Sequence, residues 1–574
     1  MPTTVSQTLV DGLVACGVPH VFGVVGDALN SVTDAIRRTA GISWIGTRHE
    51  EVAAFAAGAS AQLTGRLGVC AGTVGPGGVH LLNGLYDAAK SHAPVLAVVG
   101  QVPLSEMGSN YFQEIDNDRL FSDVAVYCHT ITSESQVPRV FEQAIAAAMA
   151  KRGVAVVSLP GDIGPRTVSD ERTITAFTGV STTVPAAVHL DRAATLINAA
   201  DRVTILAGIG ASAARSPVIA LAKHLSAPIV VTLKGKETFD WDNPYQVGQT
   251  GLIGNPAAAS ALRRADLLIM VGTDFPYRDW YPDEARVIQI ETVADHIGRR
   301  VGVDVGLVGD AGETIDALLS RIHGNANTEH LPKAQEEYAS WRRGQAKLAH
   351  PDYDSTLVGR VRGGVDNPGD LIRPEAVAAA VSELADDDAV FTVDTGMCAV
   401  WLARFVDFTQ GRRLIGSFNL GSMANAMPQA LGAAACDPSR QVIAFCGDGG
   451  LTMLMGDLLT AVAHDLPVKL VVFDNHRLGM VKLEQEEAGL PEFGTVLDNP
   501  DLAAIARATG MSGVRITEPE RLREQLAEAL AEPGPVLIDV LTNPEEISVP
   551  PKPKPGQAWG FAIARLKETI RSRD

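Results

Sequence analysis

Cysteine is scarce in this chain, which has six cysteines among 574 residues. No two of them form a Cys-x-x-Cys pair, so the sequence indicates neither a zinc site nor a disulfide framework. An uninterrupted apolar run of the roughly 20 residues that cross a bilayer is also missing. The first residues lack a basic segment and include Asp11, which argues against a secretory signal. These absences predict a cytoplasmic protein.

Positively charged residues are also fewer than negatively charged ones. The chain has 48 Lys and Arg and 67 Asp and Glu, which gives a net charge of −19 at pH 7. Binding to nucleic acid needs clustered Lys and Arg, so this balance predicts that nucleic acid is not a partner. The charge balance does not exclude small anionic substrates, since their binding needs only a local positive site. Hydrophobic residues make up 46% and charged residues 20%, which is typical of a globular protein, and the length suits about three or four domains.

Short apolar runs bounded by Gly or Pro recur along the chain, with helical patterns between them. Such runs are typical of strands buried on both faces, and the intervening helices indicate parallel βαβ units. They fall into three blocks: 20–26, 67–75, 93–100 and 153–160; 202–210, 227–235, 265–272 and 285–291; 388–396, 441–449, 467–475 and 534–542. The pattern predicts an α/β protein with three doubly wound parallel-sheet domains.

The breaks between the blocks predict where the domains end. We place the first domain at 1–180, the second at 185–345, a polar linker at 346–370 and the third at 371–545. The tail, 546–574, begins with a Pro- and Lys-rich stretch that cannot form a regular helix. An apolar stripe at helical spacing follows, formed by Trp559, Ile563, Leu566 and Ile570. The stripe predicts a helix that packs on the protein surface or on a membrane.

Oxygen-bearing side chains end two apolar runs of the third block. Asp448 stands in a Gly-Asp-Gly-Gly segment, and Asn475 ends the next run, 475 − 448 = 27 positions later. The carboxyl ends of parallel strands meet at one edge of a sheet, and Mg²⁺ prefers such oxygen ligands. Gly449 and Gly450 allow a close backbone approach, and a helix starting near Leu451 would favour an anion at its N-terminus. Together these features predict a magnesium-bridged diphosphate site.

This spacing resembles the cofactor motif of the thiamine diphosphate-dependent enzymes. That family has a pyrimidine-binding domain, a central domain and a diphosphate-binding domain, all α/β, in agreement with the three blocks. The resemblance implies thiamine diphosphate and Mg²⁺ as cofactors, with Mg²⁺ bound by the Asp448 and Asn475 side chains and by the Arg477 carbonyl. The family motif usually ends in Asn-Asn, whereas this chain has Asp474 before Asn475. The ligand position itself is retained.

Two acids, Glu50 and Glu51, open an Ala-rich helical pattern in the first block. Alone, they indicate only acids in the first turn of a helix, where the helix dipole favours them. The segment Arg-His-Glu-Glu resembles the family's activating site, which implies that Glu50 binds N1′ of the cofactor's aminopyrimidine ring. His80, in a Gly-rich segment that the family shares, stays open between a polar contact in the site and a structural histidine.

The same resemblance assigns further contacts of the cofactor to the third block. Gly421 and Ser422 would flank the pyrimidine, and Met423 would hold the cofactor in its bent shape. Glu50 and Asp448 lie on different domains, and in this family the two domains meet across a dimer interface. We therefore expect a homodimer or a homotetramer.

The match extends over nearly the whole chain and is closest to the flavin-containing pyruvate oxidases, particularly the quinone-reducing pyruvate dehydrogenases. The segments that carry it include "YFQEID" (111–116), "GKETFDWDNPYQVGQTGLIG" (235–254) and "VGTDFPYRDWYP" (271–282). The central block has no Gly-x-Gly-x-x-Gly motif, so FAD follows from resemblance alone. The implied FAD contacts are Thr250, Gly251, Leu252, Ile253, Thr273, Asp274, Phe275, Pro276 and Tyr277, with Glu291 at the ribose.

The main rival family is acetohydroxyacid synthase, a carboligase that also keeps FAD. The synthases follow Gly-Met-Val with a Gln-Trp pair that shapes the site of the second ketoacid, whereas this chain has Leu483 and Glu484. The sequence "EQEE" at 484–487 is oxidase-like, and the oxidases often have Phe where this chain has Met480. Phe112, Gln113 and Glu484 are the candidates for contact with the substrate.

The resemblance thus implies oxidative decarboxylation of pyruvate, or a similar 2-ketoacid, to acetate and CO₂, with electrons passing through FAD to a quinone. The open alternatives are an oxidase that uses O₂ and phosphate to make acetyl phosphate, and an acetolactate synthase. Quinone-reducing relatives end in a lipid-binding helix. By that analogy the tail predicts peripheral contact with the inner membrane surface as the alternative to a purely cytoplasmic location.

Overall fold

The computed structural model describes residues 3–168, 173–175, 182–324, 327, 329–350, 367 and 370–546. Apart from Glu546, the predicted tail lies outside these residues, as does the linker apart from 346–350, 367 and 370. What was predicted for those segments stays a prediction. Within the part of the chain that is described, no helix combines the length and the apolar character needed to cross a membrane.

The first domain contains a six-stranded sheet in which every neighbouring pair is parallel. Its strands are β1 His20–Gly23, β2 Ser43–Gly46, β3 Gly68–Gly72, β4 Val95–Gln101, β5 Ala125–Thr130 and β6 Val154–Pro160, in the order β2-β1-β3-β4-β6-β5. Its helices are Val5–Ala15, Asn30–Arg38, Glu50–Thr64, Pro76–Lys90, Asn117–Leu120 and Arg139–Lys151. His49 begins the Glu50–Thr64 helix by accepting the backbone N–H of Glu51, and Gly65 ends it in the left-handed conformation.

The second domain repeats this architecture around another parallel sheet. Its strands are β7 Val203–Ala207, β8 Ile229–Val231, β9 Gln246–Gln249, β10 Leu267–Val271, β11 Arg286–Glu291 and β12 Val305–Val308, in the order β12-β11-β10-β7-β8-β9. Its helices are Ala187–Ala199, Arg215–Leu225, Lys236–Phe239, Pro256–Arg264, Ala311–Leu319 and His330–Leu348. The last helix extends past the predicted domain end at 345.

The third domain is the one that positions the predicted metal ligands. Its strands are β13 Val390–Val393, β14 Arg413–Gly416, β15 Val442–Gly447, β16 Val468–Asp474, β17 Ser512–Ile516 and β18 Val536–Leu541, in the order β14-β13-β15-β16-β18-β17. Its helices are Pro374–Leu384, Met397–Phe405, Ala426–Cys436, Asp448–Leu454, Leu458–Ala463, Gly479–Glu487, Leu502–Thr509 and Leu522–Ala531. The prediction of three parallel-sheet α/β domains is confirmed.

One hydrophobic core joins the first domain to the third. Buried alanines of the Glu50–Thr64 helix belong to the same apolar cluster as residues of the Ala426–Cys436 helix. The two helices approach so closely that a Cβ on Gly432 would lie 2.2 Å from the carbonyl oxygen of Ala56. Small side chains on both helices permit this approach. The packing fixes where the Glu50–Thr64 helix begins, and therefore where Glu50 lies.

Candidate active site

A cleft opens at the carboxyl ends of β13, β15 and β16. β13 and β15 are neighbours, and β14 and β16 continue the sheet in opposite directions from them, which is the switch point where open α/β sheets bind ligands. The lining residues include Asp394, Met423, Asp448, Asn475 and Met480. Arg477, Gly449 and Gly450 also line it, and every lining residue lies between 374 and 546. The structure therefore brings together most of the predicted contacts of the third domain.

The two predicted metal ligands face this cleft from neighbouring strand ends. The helix begins at Asp448 itself, so the prediction of a start near Leu451 was wrong: β15 ends at Gly447, whose extended backbone leads directly into the first turn. Asp448 Oδ1 accepts the N–H of Gly449 at 2.8 Å. Asn475 Oδ1 accepts the N–H of Arg477 at 3.0 Å, across a turn in which His476 is left-handed, with φ +54°.

A second carboxylate lies directly behind the first. Asn499 Nδ2 donates to Asp448 Oδ2 and to Asp474 Oδ1, each at 2.8 Å. The other oxygen of Asp474 is buried and has no hydrogen bond from the described residues. Burial, followed by the charge of Asp474, raises the pKa of Asp448 to about 7. A divalent cation would offset this cost, and the oxygen donors at this place fit Mg²⁺.

Asp394 is a buried acid of the cleft that the sequence analysis did not single out. Its Oδ1 accepts the N–H of Ala426 at 2.8 Å, and its Oδ2 accepts the N–H of Gly447 at 3.3 Å. One carboxylate thus fixes the start of the Ala426–Cys436 helix against the end of β15. Burial raises the pKa of Asp394 to about 7, although the backbone donors favour its charged form.

The segment 421–423 borders the cleft and also contacts the first domain. Gly421 is left-handed, with φ +76°, and a Cβ added there would meet no atom within 4 Å, which leaves room for a ligand. A Cβ on Gly449 would lie 3.4 Å from Met423 Cε, so Met423 lies beside the Gly-Asp-Gly-Gly turn. Ser422 Oγ accepts a hydrogen bond from Asn83 Nδ2 at 2.9 Å. These positions fit the pyrimidine side of the predicted cofactor.

Glu50 lies outside this cleft, on the first domain. It is the first residue of its helix, 7% exposed, and its Oε2 accepts a hydrogen bond from His80 Nδ1 at 3.0 Å. Gly77 closes the other side, because a Cβ there would lie 3.3 Å from Glu50 Oε1. The backbone of Gln113 contacts the same Gly-rich turn at Gly75, and the neighbouring Phe112 is 78% exposed. The first domain thus presents a second cluster of predicted site residues.

Comparisons with known proteins match all three domains to one family. Residues 3–120, 190–318 and 394–540 match the N-terminal TPP binding domain, the central domain and the C-terminal TPP binding domain of thiamine pyrophosphate enzymes. Over 572 residues the chain is 38% identical to YdaP of Bacillus subtilis (strain 168), which is described as a candidate thiamine pyrophosphate-containing protein, with 99% of this chain and 97% of YdaP covered.

This chain belongs to the thiamine pyrophosphate enzyme family.

Two other members differ in the reaction that their names assign to them. A pyruvate oxidase of Lactiplantibacillus plantarum is 33% identical over 539 residues, covering 92% of this chain and 87% of the oxidase. The large subunit of acetolactate synthase isozyme 2 of Escherichia coli (strain K12) is 31% identical over 572 residues, covering 98% of this chain and 99% of that subunit. Identity therefore establishes the family and leaves the choice between oxidase and carboligase open.

The predicted FAD contacts of this thiamine pyrophosphate enzyme lie at one edge of the central sheet. Thr250 follows β9, Thr273 lies just beyond the end of β10, and Glu291 ends β11. Since all strands of this sheet are parallel, these three ends face the same side. Gly208, after β7, lies at the same edge, and a Cβ added to it would lie 2.6 Å from Thr273 Cβ. The structure thus gathers the segments that resemblance had assigned separately.

Several details of this edge fit a polar ligand. Thr250 Oγ1 is buried without a hydrogen bond from the described residues, and Gly251 is left-handed, with φ +103°. Leu252 and Tyr277 are exposed, whereas Phe275 is buried and stacks edge-on against Tyr277. The remaining predicted contacts are Ile253, which packs toward the third domain, Pro276, which is exposed, and Asp274, which is paired with Arg299 and Arg300.

Proposed function

We propose that this enzyme oxidatively decarboxylates pyruvate or a closely similar 2-ketoacid. Pyruvate and water would give acetate and CO₂, and the two electrons would reduce FAD, which a quinone then reoxidises. Thiamine diphosphate, when bound, supplies the decarboxylation chemistry, and FAD supplies the electron acceptor. Asp448, Asn475 and the Arg477 carbonyl would hold the Mg²⁺ that anchors the diphosphate.

The observation that carries this proposal is the Gly479–Glu487 helix at the mouth of the cleft. Met480 and Val481 line the cleft, and Glu484 is exposed one turn after Met480, on the same side of the helix. A Trp at position 484, as in the synthases, would offer an apolar wall to a second ketoacid. A hydrated carboxylate offers no such wall and suits a reaction in which water, rather than a ketoacid, accepts the acetyl group.

The other half of the proposed site comes from Glu50, which would hold a proton at N1′ of the aminopyrimidine. Among the described residues the cleft is lined by the third domain alone, and Glu50 is not one of its lining residues. We propose that Glu50, with Phe112 and Gln113, faces the cleft of a second copy, in a homodimer or homotetramer. This arrangement would place the exposed Phe112 against a partner instead of water.

The test is to add pyruvate without O₂ to enzyme loaded with thiamine diphosphate, Mg²⁺ and FAD. We expect the flavin absorbance to bleach while acetate and CO₂ form, and a quinone to restore the colour. An oxidised flavin beside accumulating acetolactate would establish the carboligase instead. If only O₂ restores the flavin absorbance, and acetyl phosphate forms when phosphate is present, the enzyme is the oxidase that uses O₂ and phosphate.

Glu50→Gln provides the matched control, since it keeps the size of the side chain and removes the carboxylate. The variant should bind the cofactors, and its flavin should stay oxidised when pyruvate is added. Bleaching at the wild-type rate would contradict the role of Glu50 while leaving the choice of substrate untouched.

A further inference from the structure

The carboxylate of Glu50 has one hydrogen-bond donor among the described residues, the ring of His80. Nδ1 of His80 lies 3.0 Å from Glu50 Oε2, and since a carboxylate accepts only, Nδ1 is the donor. Glu50 is buried, so its carboxylate has little contact with water, and the protein sets its orientation. Its second oxygen, Oε1, accepts no hydrogen bond from the described residues. One oxygen is thus held and the other is left for a ligand.

His80 is itself held in place by the start of the Glu50–Thr64 helix. Its ring stacks on the ring of His49, with centroids 4.5 Å apart and planes inclined by 22°. His49 is fixed in turn, because its Nδ1 accepts the backbone N–H of Glu51 at 3.2 Å as the cap of that helix. The chain of contacts therefore runs from the helix cap through two stacked rings to the Glu50 carboxylate.

These three side chains also form a group with metal-ligating atoms within 4.8 Å of one another. The ring geometry argues against a shared ion. The lone pairs of an imidazole lie in its plane, so two nearly parallel stacked rings direct them side by side rather than toward one point. Both Nδ1 atoms are also engaged in hydrogen bonds. The arrangement suits orientation of a carboxylate better than metal binding.

We propose that His80 is a positioning residue that holds Glu50 in one orientation, with Oε1 left free to face N1′ of the cofactor's aminopyrimidine. The proposal rests on the role of Glu50 in the proposed function. Without the His80 donor, Glu50 could rotate about its side-chain bonds, and proton exchange through N1′ would slow. Cofactor affinity should change little, because the residues that would anchor the diphosphate belong to the third domain.

The experiment compares two substitutions of His80, one that keeps a hydrogen-bond donor and one that removes it. His80→Asn keeps an N–H donor near the position of Nδ1, and His80→Leu removes the donor while retaining an apolar side chain of similar size. The readout is the rate at which the C2 proton of bound thiamine diphosphate exchanges for deuterium, measured by acid quench and NMR without pyruvate or FAD. Cofactor affinity is measured in parallel by calorimetry with Mg²⁺ present.

We expect His80→Leu to slow the exchange by about tenfold or more, and His80→Asn to stay within roughly threefold of wild type, both with nearly unchanged cofactor affinity. Exchange at the wild-type rate in His80→Leu would overturn the proposal. Equal slowing in both variants would also overturn it, because the loss would then not depend on the donor.

Glu50→Gln separates this proposal from the proposed function. Slow exchange in Glu50→Gln together with wild-type exchange in His80→Leu rejects the positioning role alone. Wild-type exchange in Glu50→Gln rejects the role of Glu50 itself, and the positioning role with it. The pyruvate oxidation proposal is tested independently, since this measurement uses neither pyruvate nor flavin.

Discussion

At the residue scale, the shape of the cleft depends on acceptors that lie behind it. Asp394 accepts the N–H groups of Ala426 and Gly447, which follow the Met423 segment and precede the Gly-Asp-Gly-Gly turn in the chain. A buried N–H that loses its acceptor costs about 1–3 kcal/mol. The alignment of the Met423 segment with the Gly-Asp-Gly-Gly turn should therefore be sensitive to this one carboxylate.

Asp394→Ala should weaken the binding of thiamine diphosphate in the presence of Mg²⁺ by about tenfold, corresponding to about 1.4 kcal/mol. The reason is that both N–H groups lose their acceptor and the two segments loosen. Titration calorimetry measures the effect. Asp388→Ala, an exposed acid before the other end of β13, is the matched control and should bind as wild type does. Equal affinity of both variants for thiamine diphosphate would contradict the proposed role of Asp394 in aligning the two segments.

Some residues of the site could be predicted from sequence because their signal is local. Asp448 and Asn475 end apolar runs, and the same signal is present at Asp394, which follows β13 and could have been found with it. Glu50 differs, since an acid in the first turn of a helix is common without any function. The contact between Glu50 and His80 depends on the packing of two helices, which no local pattern reports.

At the element scale, the predicted strands follow one rule. The four runs predicted in each domain are the four interior strands of its sheet, and they are confirmed. The strands that were missed are the edges: β2 and β5, β9 and β12, β14 and β17. Interior strands are buried on both faces and read as unbroken apolar runs, whereas edge strands such as Ser43–Gly46 and Ser512–Ile516 are partly exposed and mixed in composition.

Gly432→Ala tests the close contact between the Ala426–Cys436 and Glu50–Thr64 helices. The added Cβ would lie 2.2 Å from Ala56 O, so the helices must separate, and overpacking of this kind costs roughly 1–3 kcal/mol. We expect a lower midpoint of thermal unfolding. Gly344→Ala is the matched control, because a Cβ at that helical position meets no atom within 4 Å and should raise the midpoint slightly. A higher midpoint for Gly432→Ala would refute the packing argument.

At the scale of the whole molecule, a group of buried and partly buried polar side chains joins the three domains. Gln429 Nε2 donates to Asp87 Oδ2 at 3.0 Å, which connects the third domain to the first. Lys234, from the central domain, lies near Asp87 and donates to Gln62 of the first. Burial raises the pKa of Asp87 to about 6, although Ser417, Lys234 and Gln429 favour its charged form.

The sign of the pH effect at Asp87 follows from this direction. Because the folded-state pKa is above the ordinary value of 3.8, the cost to stability is absent at low pH, grows as pH rises to about 6 and is constant above. Asp87→Asn should therefore raise the thermal midpoint at pH 8 by about 2–4 °C and change it less at pH 5. Differential scanning fluorimetry at both pH values, with Asp388→Asn as control, measures this. A lower midpoint at pH 8 would mean that the favourable charge interaction between Asp87 and Lys234 outweighs the cost of burial.

The separation of Glu50 from the cleft has a consequence for mixtures of damaged chains. Glu50→Gln and Asp448→Ala, both of which we expect to be inactive, each retain the half of the site that the other has lost. If the halves meet between copies, a mixed dimer contains one intact site, and co-refolding equal amounts should restore about a quarter of wild-type turnover. If both halves serve the same chain, the mixture stays inactive. Recovery of turnover on mixing the two variants would thus show that each site takes Glu50 from one chain and Asp448 from the other.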